Sequence, residues 1–240
     1  MKHSRAQLKQ MARAILSDKW GKVVRLTIYT FALTMLLSMC TNPFVSNTTT
    51  TGTIIYCVVS LIITLISGLF SAGTSYFYLN MCRGKEYHYR DLFAPFKMNP
   101  DRFLIVAFIT SITTFITTLP SIFWMPGESD YYAYIFVSLA CMVVGVVITF
   151  ILSLFFGLAN YLLLDFPEMS TRSALMMSVS LMKGNKRRFF CLQLSFLGWS
   201  FLGALTLGIG FLWIEPYKNM TYTYFYTDVL GQLTENNTEL

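Results

Sequence analysis

Residues Tyr131 to Leu164 read YYAYIFVSLACMVVGVVITFILSLFFGLANYLLL, a run without a single charged side chain. At 1.5 Å rise per residue, roughly 20 apolar residues cross a hydrocarbon core of about 30 Å. A helix that is apolar on every face needs an apolar medium on every face, and lipid supplies one. The run is too long for a straight crossing, so it is expected to tilt or to project into the cytoplasm.

Four further runs flank it: Val23 to Cys40, Ile54 to Asn80, Phe103 to Met125 and Phe189 to Ile214. The only charge in the first is Arg25, near enough to the end for its side chain to reach the headgroups. The chain is 55% hydrophobic and 12% charged, with mean hydropathy +0.54, against about 25% charged in an average soluble domain. The expected fold is therefore all-α: one polytopic transmembrane helical bundle over residues 1–240, with spans at about 23–40, 54–80, 103–125, 131–164, 189–208 and 211–230. The N-terminus is too long and polar for a cleaved signal peptide, so the first span is the expected insertion signal.

The sixth span is the weakest, because Glu215, Pro216 and Lys218 are poor residues for lipid. Leu207-Gly208-Ile209-Gly210 allows a tight turn before Phe211 to Leu230 runs back. A five-span alternative ends the helix near Ile214 and leaves the tail outside. Six spans divide the chain into three similar units, each a cytoplasmic helical approach, an outward span, a short turn and an inward span.

Charge sets the orientation. Of the 18 basic residues, 17 fall before or at the opening of the first run, between the second and third, or between the fourth and fifth. The connections Thr41 to Thr53 and Pro126 to Asp130 carry none. The positive-inside rule then puts the N-terminus, and with six spans the C-terminus, in the cytoplasm of a multi-pass cell-membrane protein. Tyr56, Trp124, Tyr131 and Tyr132 fall at the expected outer interface and Trp20 at the inner one. A pI of about 9.1 follows from this topology and calls for no nucleic-acid partner.

Two cytoplasmic helices are expected. Ser4 to Gln7 forms a capping box, followed by Leu8, Met11, Ala12, Ile15 and Leu16 at helical spacing. Arg5, Lys9 and Arg13 lie on other faces of this helix, which is expected along the inner leaflet as an anionic-lipid contact; docking on the bundle is the structural alternative. The second helix runs from about Thr171 to Met182, with Leu175, Val179 and Met182 apolar and Gly184 as its stop. Lys186, Arg187 and Arg188 just after it are further candidates for anionic headgroups.

Met182-Lys183-Gly184-Asn185-Lys186-Arg187-Arg188-Phe189, Leu194-Ser195-Phe196-Leu197-Gly198-Trp199, Leu205 to Gly210, Pro216-Tyr217 and Tyr224 to Asp228 resemble the C-terminal half of the domain-of-unknown-function 975 family. The opening Leu16-Ser17-Asp18-Lys19-Trp20-Gly21 is similar to the family's start, departing from it at Ser17-Asp18. The resemblance implies a multi-span bundle of the kind found mainly in Gram-positive bacteria, and supplies no catalytic residues.

No catalytic, cofactor or metal pattern is legible. Cys40, Cys57, Cys82, Cys141 and Cys191 stand singly, without zinc or redox spacing, and His3 and His88 have no helical His/Glu partners. No Gly-Lys-Ser/Thr phosphate loop occurs. What remains is polar residues within spans: the stripe Ser60, Thr64, Ser67, Gly68, Ser71, Ala72, Ser75; the hydroxyl face Thr110, Thr113, Thr114, Thr117, Thr118; and Asn160, Gln193, Glu215 and Lys218. Small and hydroxyl residues commonly serve close helix packing, whereas ionisable ones inside a membrane are costly and mark function. The favoured class is a non-enzymatic membrane component, accessory, envelope-related or lipid-interacting, with membrane lipids and a membrane-protein partner or a second copy as its associates. The alternative is a small-solute transporter or permease-like subunit.

Overall fold

The computed structural model describes residues 3–41, 50–123 and 131–238. The connections expected outside, with Trp124, fall largely beyond these residues, as do the side chains of Thr114, Thr117 and Thr118. Among the described residues every regular element is helical. In chain order they are α1 (Arg5–Leu16), α2 (Trp20–Met39), α3 (Thr50–Cys82), a 3-10 turn (Tyr89–Phe93), α4 (Ala94–Lys97), α5 (Pro100–Phe123), α6 (Tyr131–Phe156), α7 (Ala159–Asp165), α8 (Thr171–Met182), α9 (Lys186–Leu205) and α10 (Phe211–Thr238). Four helical stretches are long and apolar enough to cross a membrane: Trp20–Met39, Ile54–Cys82, Tyr131–Asp165 and Lys186–Leu205.

The long charge-free run is interrupted at Gly157-Leu158, between α6 and α7. A Cβ on Gly157 would lie 2.4 Å from the Ser153 carbonyl oxygen and 3.3 Å from the Phe189 ring. Ser178 of α8 donates to the Phe155 carbonyl at 2.8 Å, serving a backbone group at the break. The two parts meet different surroundings: α6 displays Phe136, Val143 and Val146, whereas Ala159 and Tyr161 to Leu164 of α7 are buried. The expected projection beyond the apolar layer thus becomes a packed helix.

That contrast runs through the molecule. At the end where the basic segments gather, Leu8, Leu16, Leu26, Phe77, Tyr78, Leu162, Phe189 and Phe225 form one buried core. Towards the far end the helices show Phe31, Leu36, Ile62, Phe108 and Val147 outward, the pattern of side chains facing acyl chains.

Within the core, α10 packs against α1, α2, α3 and α9. Met220, Thr221, Thr223, Phe225 and Tyr226 are all fully buried. Its hydroxyls are satisfied within the protein: Thr221 donates to the Tyr217 carbonyl at 2.7 Å and Thr223 to that of Asn219 at 2.9 Å. Tyr161 stacks on Tyr226 with centroids 5.0 Å apart and planes at 18°. A mixed polar and aromatic helix is thereby held inside a shell of apolar ones, which explains why its residues suit lipid poorly.

The chain reverses at Thr206–Gly210, and α10 returns along α9 until Asp228 meets Arg188 at the start of α9. The five-span arrangement, with its tail at the far end, is incompatible with this reversal. Helix α1 has the expected capping box: the Ser4 amide donates to the Gln7 side chain at 2.7 Å and the Gln7 amide to Ser4 Oγ at 3.3 Å. Its apolar stripe departs from the leaflet reading. Leu8, Ala12 and Leu16 are buried in the core, where α1 docks along α10. Removing each leucine from water contributes about 2 kcal/mol whichever apolar medium receives it, and in this fold α10 supplies that medium. Helix α8 has the expected bounds, but its buried face is Ala174, Ser178, Leu181 and Met182, with Leu175 and Val179 only half-buried.

Candidate functional site

Glu215 and Lys218 stand one turn apart on α10, the spacing at which helical side chains meet. Lys218 Nζ donates to Glu215 Oε1 at 2.5 Å. Pro216 lies between them inside the helix, and its ring nitrogen has no proton to give the Leu212 carbonyl one turn back. The pair lies on the wall of a partly open chamber of about 860 Å³ between α2, α3 and the α9–α10 hairpin. Thr27, Thr30 and Thr34 reach it from one face of α2, and Ser71, Thr74 and Ser75 from α3, each set at the three- and four-residue spacing that aligns side chains along a helix.

Five of the six hydroxyl protons on this wall are already committed. Thr27 donates to the Val23 carbonyl at 3.0 Å, Thr30 to Thr27 at 2.9 Å, Thr34 to Thr30 at 3.0 Å, Thr74 to Phe70 at 2.9 Å and Ser75 to Ser71 at 3.1 Å. A hydroxyl has one proton and two lone pairs, so these groups offer acceptors to the chamber. With the Glu215 carboxylate they make a wall rich in acceptors, to which Lys218 and Asn219 add donors.

Lys218 also borders a second cavity, of about 500 Å³, on another side of α10, shared with Thr113, Thr149, Ser153, Gln193 and Ser200. There Gln193 Nε2 donates to Ser153 Oγ at 2.9 Å, linking α9 to α6. Asn160, the remaining polar candidate within the spans, is half-buried on α7 and borders neither space. Of the four, the fold brings Glu215, Lys218 and Gln193 to cavity walls and leaves Asn160 apart.

The basic candidates divide. Arg5 and Arg187 are exposed. Lys9 lies 4.5 Å from the Phe196 ring centroid, Lys186 is 3.6 Å from that of Phe155, and Arg188 is 5.3 Å from that of Phe225. Arg13 covers Tyr217 at 5.2 Å and donates Nε to its hydroxyl at 3.1 Å. These four cations are engaged with the bundle's own aromatic faces, because α1 packs over α9 and α10, and the start of α9 over α6 and α10, bringing a ring quadrupole under each. Burial pushes the Lys9 ammonium below its usual range, with Arg13 and Arg5 adding to the effect.

Sequence reasoning missed two acids at the basic end. Asp165 takes both Arg83 Nη atoms, at 2.5 and 2.6 Å, and the Tyr226 hydroxyl at 2.5 Å. The hydrogen bond with Asp165 raises the Arg83 guanidinium above its ordinary value. Asp228 joins Arg188 at 2.5 Å and His3 Nδ1 at 2.5 Å, and Arg102 donates to the carbonyls of Pro167 and Met169. These bonds fasten segments far apart in the chain. Among the described residues no group of three His, Cys, Asp or Glu side chains gathers to hold a metal ion.

The model of a family described as "Protein of unknown function (DUF975)" matches residues 1–232. No curated protein and no solved structure matches the chain.

Proposed function

The chain belongs to the DUF975 family of proteins of unknown function, and from that premise we propose that it is a non-enzymatic, multi-pass component of the cell membrane that binds a small polar solute in the chamber beside Glu215 and Lys218. The carrying observation is this ion pair on the wall of a hydroxyl-lined space. A charge within a membrane bundle is expensive to keep, and the commonest reason for keeping one is use. Acceptors from α2 and α3 with a carboxylate favour a solute rich in N–H or O–H donors, such as a small organic ammonium or amide. The basic end faces the cytoplasm, with both termini there and with Arg5 and Arg187 near anionic headgroups.

The test uses the full-length chain in lipid nanodiscs, with thermal unfolding followed across a panel of small ammonium, guanidinium and amide solutes. At least one solute is expected to raise the midpoint of the parent and of Arg187→Gln, and to lose that effect in Glu215→Gln. A panel that shifts none of the three proteins favours the second reading: an accessory or envelope-related scaffold contacting lipid or a membrane-protein partner through Arg5, Arg187 and the apolar far half. That reading draws on the engagement of Glu215 by Lys218 alone, in which the pair only lowers the cost of its own placement.

A further inference from the structure

The turn between α9 and α10 is built unlike one meant for water. Its outermost side chains are apolar, with Leu207 95% exposed and Leu205, Ile209 and Phe201 more than 60% exposed. No charged residue lies between Arg188 and Glu215. An aqueous turn ordinarily carries polar residues at its tip and leaves amides to be hydrated. Here each amide from Thr206 to Trp213 finds an acceptor within the hairpin. Those of Thr206, Leu207 and Gly208 donate to the carbonyls of Leu202, Ala204 and Gly203. Gly210 donates to Thr206 Oγ1 at 2.8 Å, and Ile209, Phe211, Leu212 and Trp213 close successive turns. Every amide of the turn is thus satisfied without water, as hydrocarbon demands of backbone donors. Leu207 even adopts a left-handed φ of 53° at the tip, a position that solvent-exposed turns give to Gly or Asn.

Depth agrees. Gln193 of α9 and Ser153 of α6 are hydrogen-bonded at 2.9 Å and so lie at one level. From Gln193 the chain continues fourteen residues to Leu207, at most about 21 Å, whereas α6 continues twenty-two from Ser153 to Tyr131, about 33 Å. On the other side the tip shares the chamber with Ser71, from which α3 runs on for seventeen residues to Ile54, about 25 Å. By both measures the tip stops well short of the far ends of α3 and α6; α2, which borders the same chamber at Thr34, ends five residues further on at Met39. The tip's exposed leucine and isoleucine sit at a depth where those helices also turn apolar side chains outward.

We propose that α9 and α10 form a re-entrant hairpin whose tip, Leu205 to Gly210, ends inside the bilayer hydrocarbon and rests on acyl chains. The chain enters at Arg188 and leaves at Asp228 on one face, so α2, α3, α5 and α6 cross and the final pair does not, although Lys186–Leu205 of α9 is by itself long and apolar enough to do so. Both termini stay on the basic side, as in the six-span arrangement, which makes the location of the C-terminus uninformative. The tip itself decides.

The experiment takes the full chain with its five cysteines replaced by alanine and one cysteine restored at Leu207, Ile209, Tyr132 or Arg187, reconstituted in phosphatidylcholine–phosphatidylglycerol vesicles. Tyr132 and Arg187, exposed at opposite ends, should react with a membrane-impermeant maleimide from opposite faces. Leu207→Cys and Ile209→Cys should react from neither face until detergent dissolves the bilayer. Carrying a small fluorophore, they should be quenched severalfold more by mid-chain brominated lipid than by a headgroup quencher. Reaction of the tip cysteines from the Tyr132 face, at a rate near that of Tyr132→Cys, would establish a full crossing and overturn the proposal. Reaction from the Arg187 face would overturn it equally, by placing the tip in water. If Leu207→Cys fails to fold because of its backbone conformation, Ile209→Cys carries the same measurement.

Discussion

Asp165 has partners 82 and 61 residues away in the chain, Arg83 and Tyr226. Its own side chain is 5% exposed and that of Arg83 33%. Removing one member of a buried pair leaves the other without compensation, typically at 3–5 kcal/mol; with Arg83 partly in solvent, Asp165→Asn is expected to lose about 2 kcal/mol. Tyr226→Phe removes one hydrogen bond and should lose about 1 kcal/mol. Denaturant unfolding in detergent, read by tryptophan fluorescence, measures both. Lys9 offers a test by pH. Its folded-state pKa lies below the ordinary 10.5 because of burial and the nearby Arg13 and Arg5. The unfolded chain therefore keeps this proton to higher pH than the folded one, and stability rises with pH through the window below 10.5. As pH rises towards 10.5 the parent's unfolding midpoint should climb relative to that of Lys9→Met, and a difference that stays flat would contradict the burial of this ammonium.

Among the elements, the 3-10 turn Tyr89–Phe93 shows how closely two backbones approach. A Cβ on Gly73 of α3 would sit 2.1 Å from the Leu92 carbonyl oxygen and 2.6 Å from its carbon. Neither atom is the end of a flexible side chain, so Gly73→Ala must push the turn off α3, at about 2–3 kcal/mol. The companion substitution Gly198→Ala meets nothing within 4 Å and should be neutral or slightly stabilising, since alanine is the better helix former. Proteolysis within the Arg83–Asn99 segment should accelerate in the first variant and not in the second. The capping box of α1 and the bounds of α8 were legible from sequence because they depend on residues three or four apart. What α1 rests on was not legible, since an amphipathic stripe fits a lipid leaflet and a helix groove equally well.

For the molecule as a whole, topology is tested by labelling single cysteines. Thr48→Cys and Glu128→Cys should react from outside cells, while His88→Cys and Lys183→Cys should react only after the membrane is opened; external reaction at His88 or Lys183 would reverse the assigned orientation. The helical class, the position of each apolar run and the reversal near Gly208 were determined by the sequence itself. Hydrophobic length and chain breakers are local properties that act before any tertiary contact exists. Which run faces lipid and which faces protein was decided only by packing. Helix α10 looked like the poorest span because Glu215, Thr221, Thr223 and its tyrosines suit no hydrocarbon; surrounded by α1, α2, α3 and α9, it became the buried centre. The grouping of Thr27, Ser71 and Glu215 around one chamber, and the pairing of Asp165 and Asp228 with distant cations, came likewise from the fold. A lone acid's sequence neighbours say nothing about a partner tens of residues away, and only the closing of helices on one another brings the two within hydrogen-bonding distance.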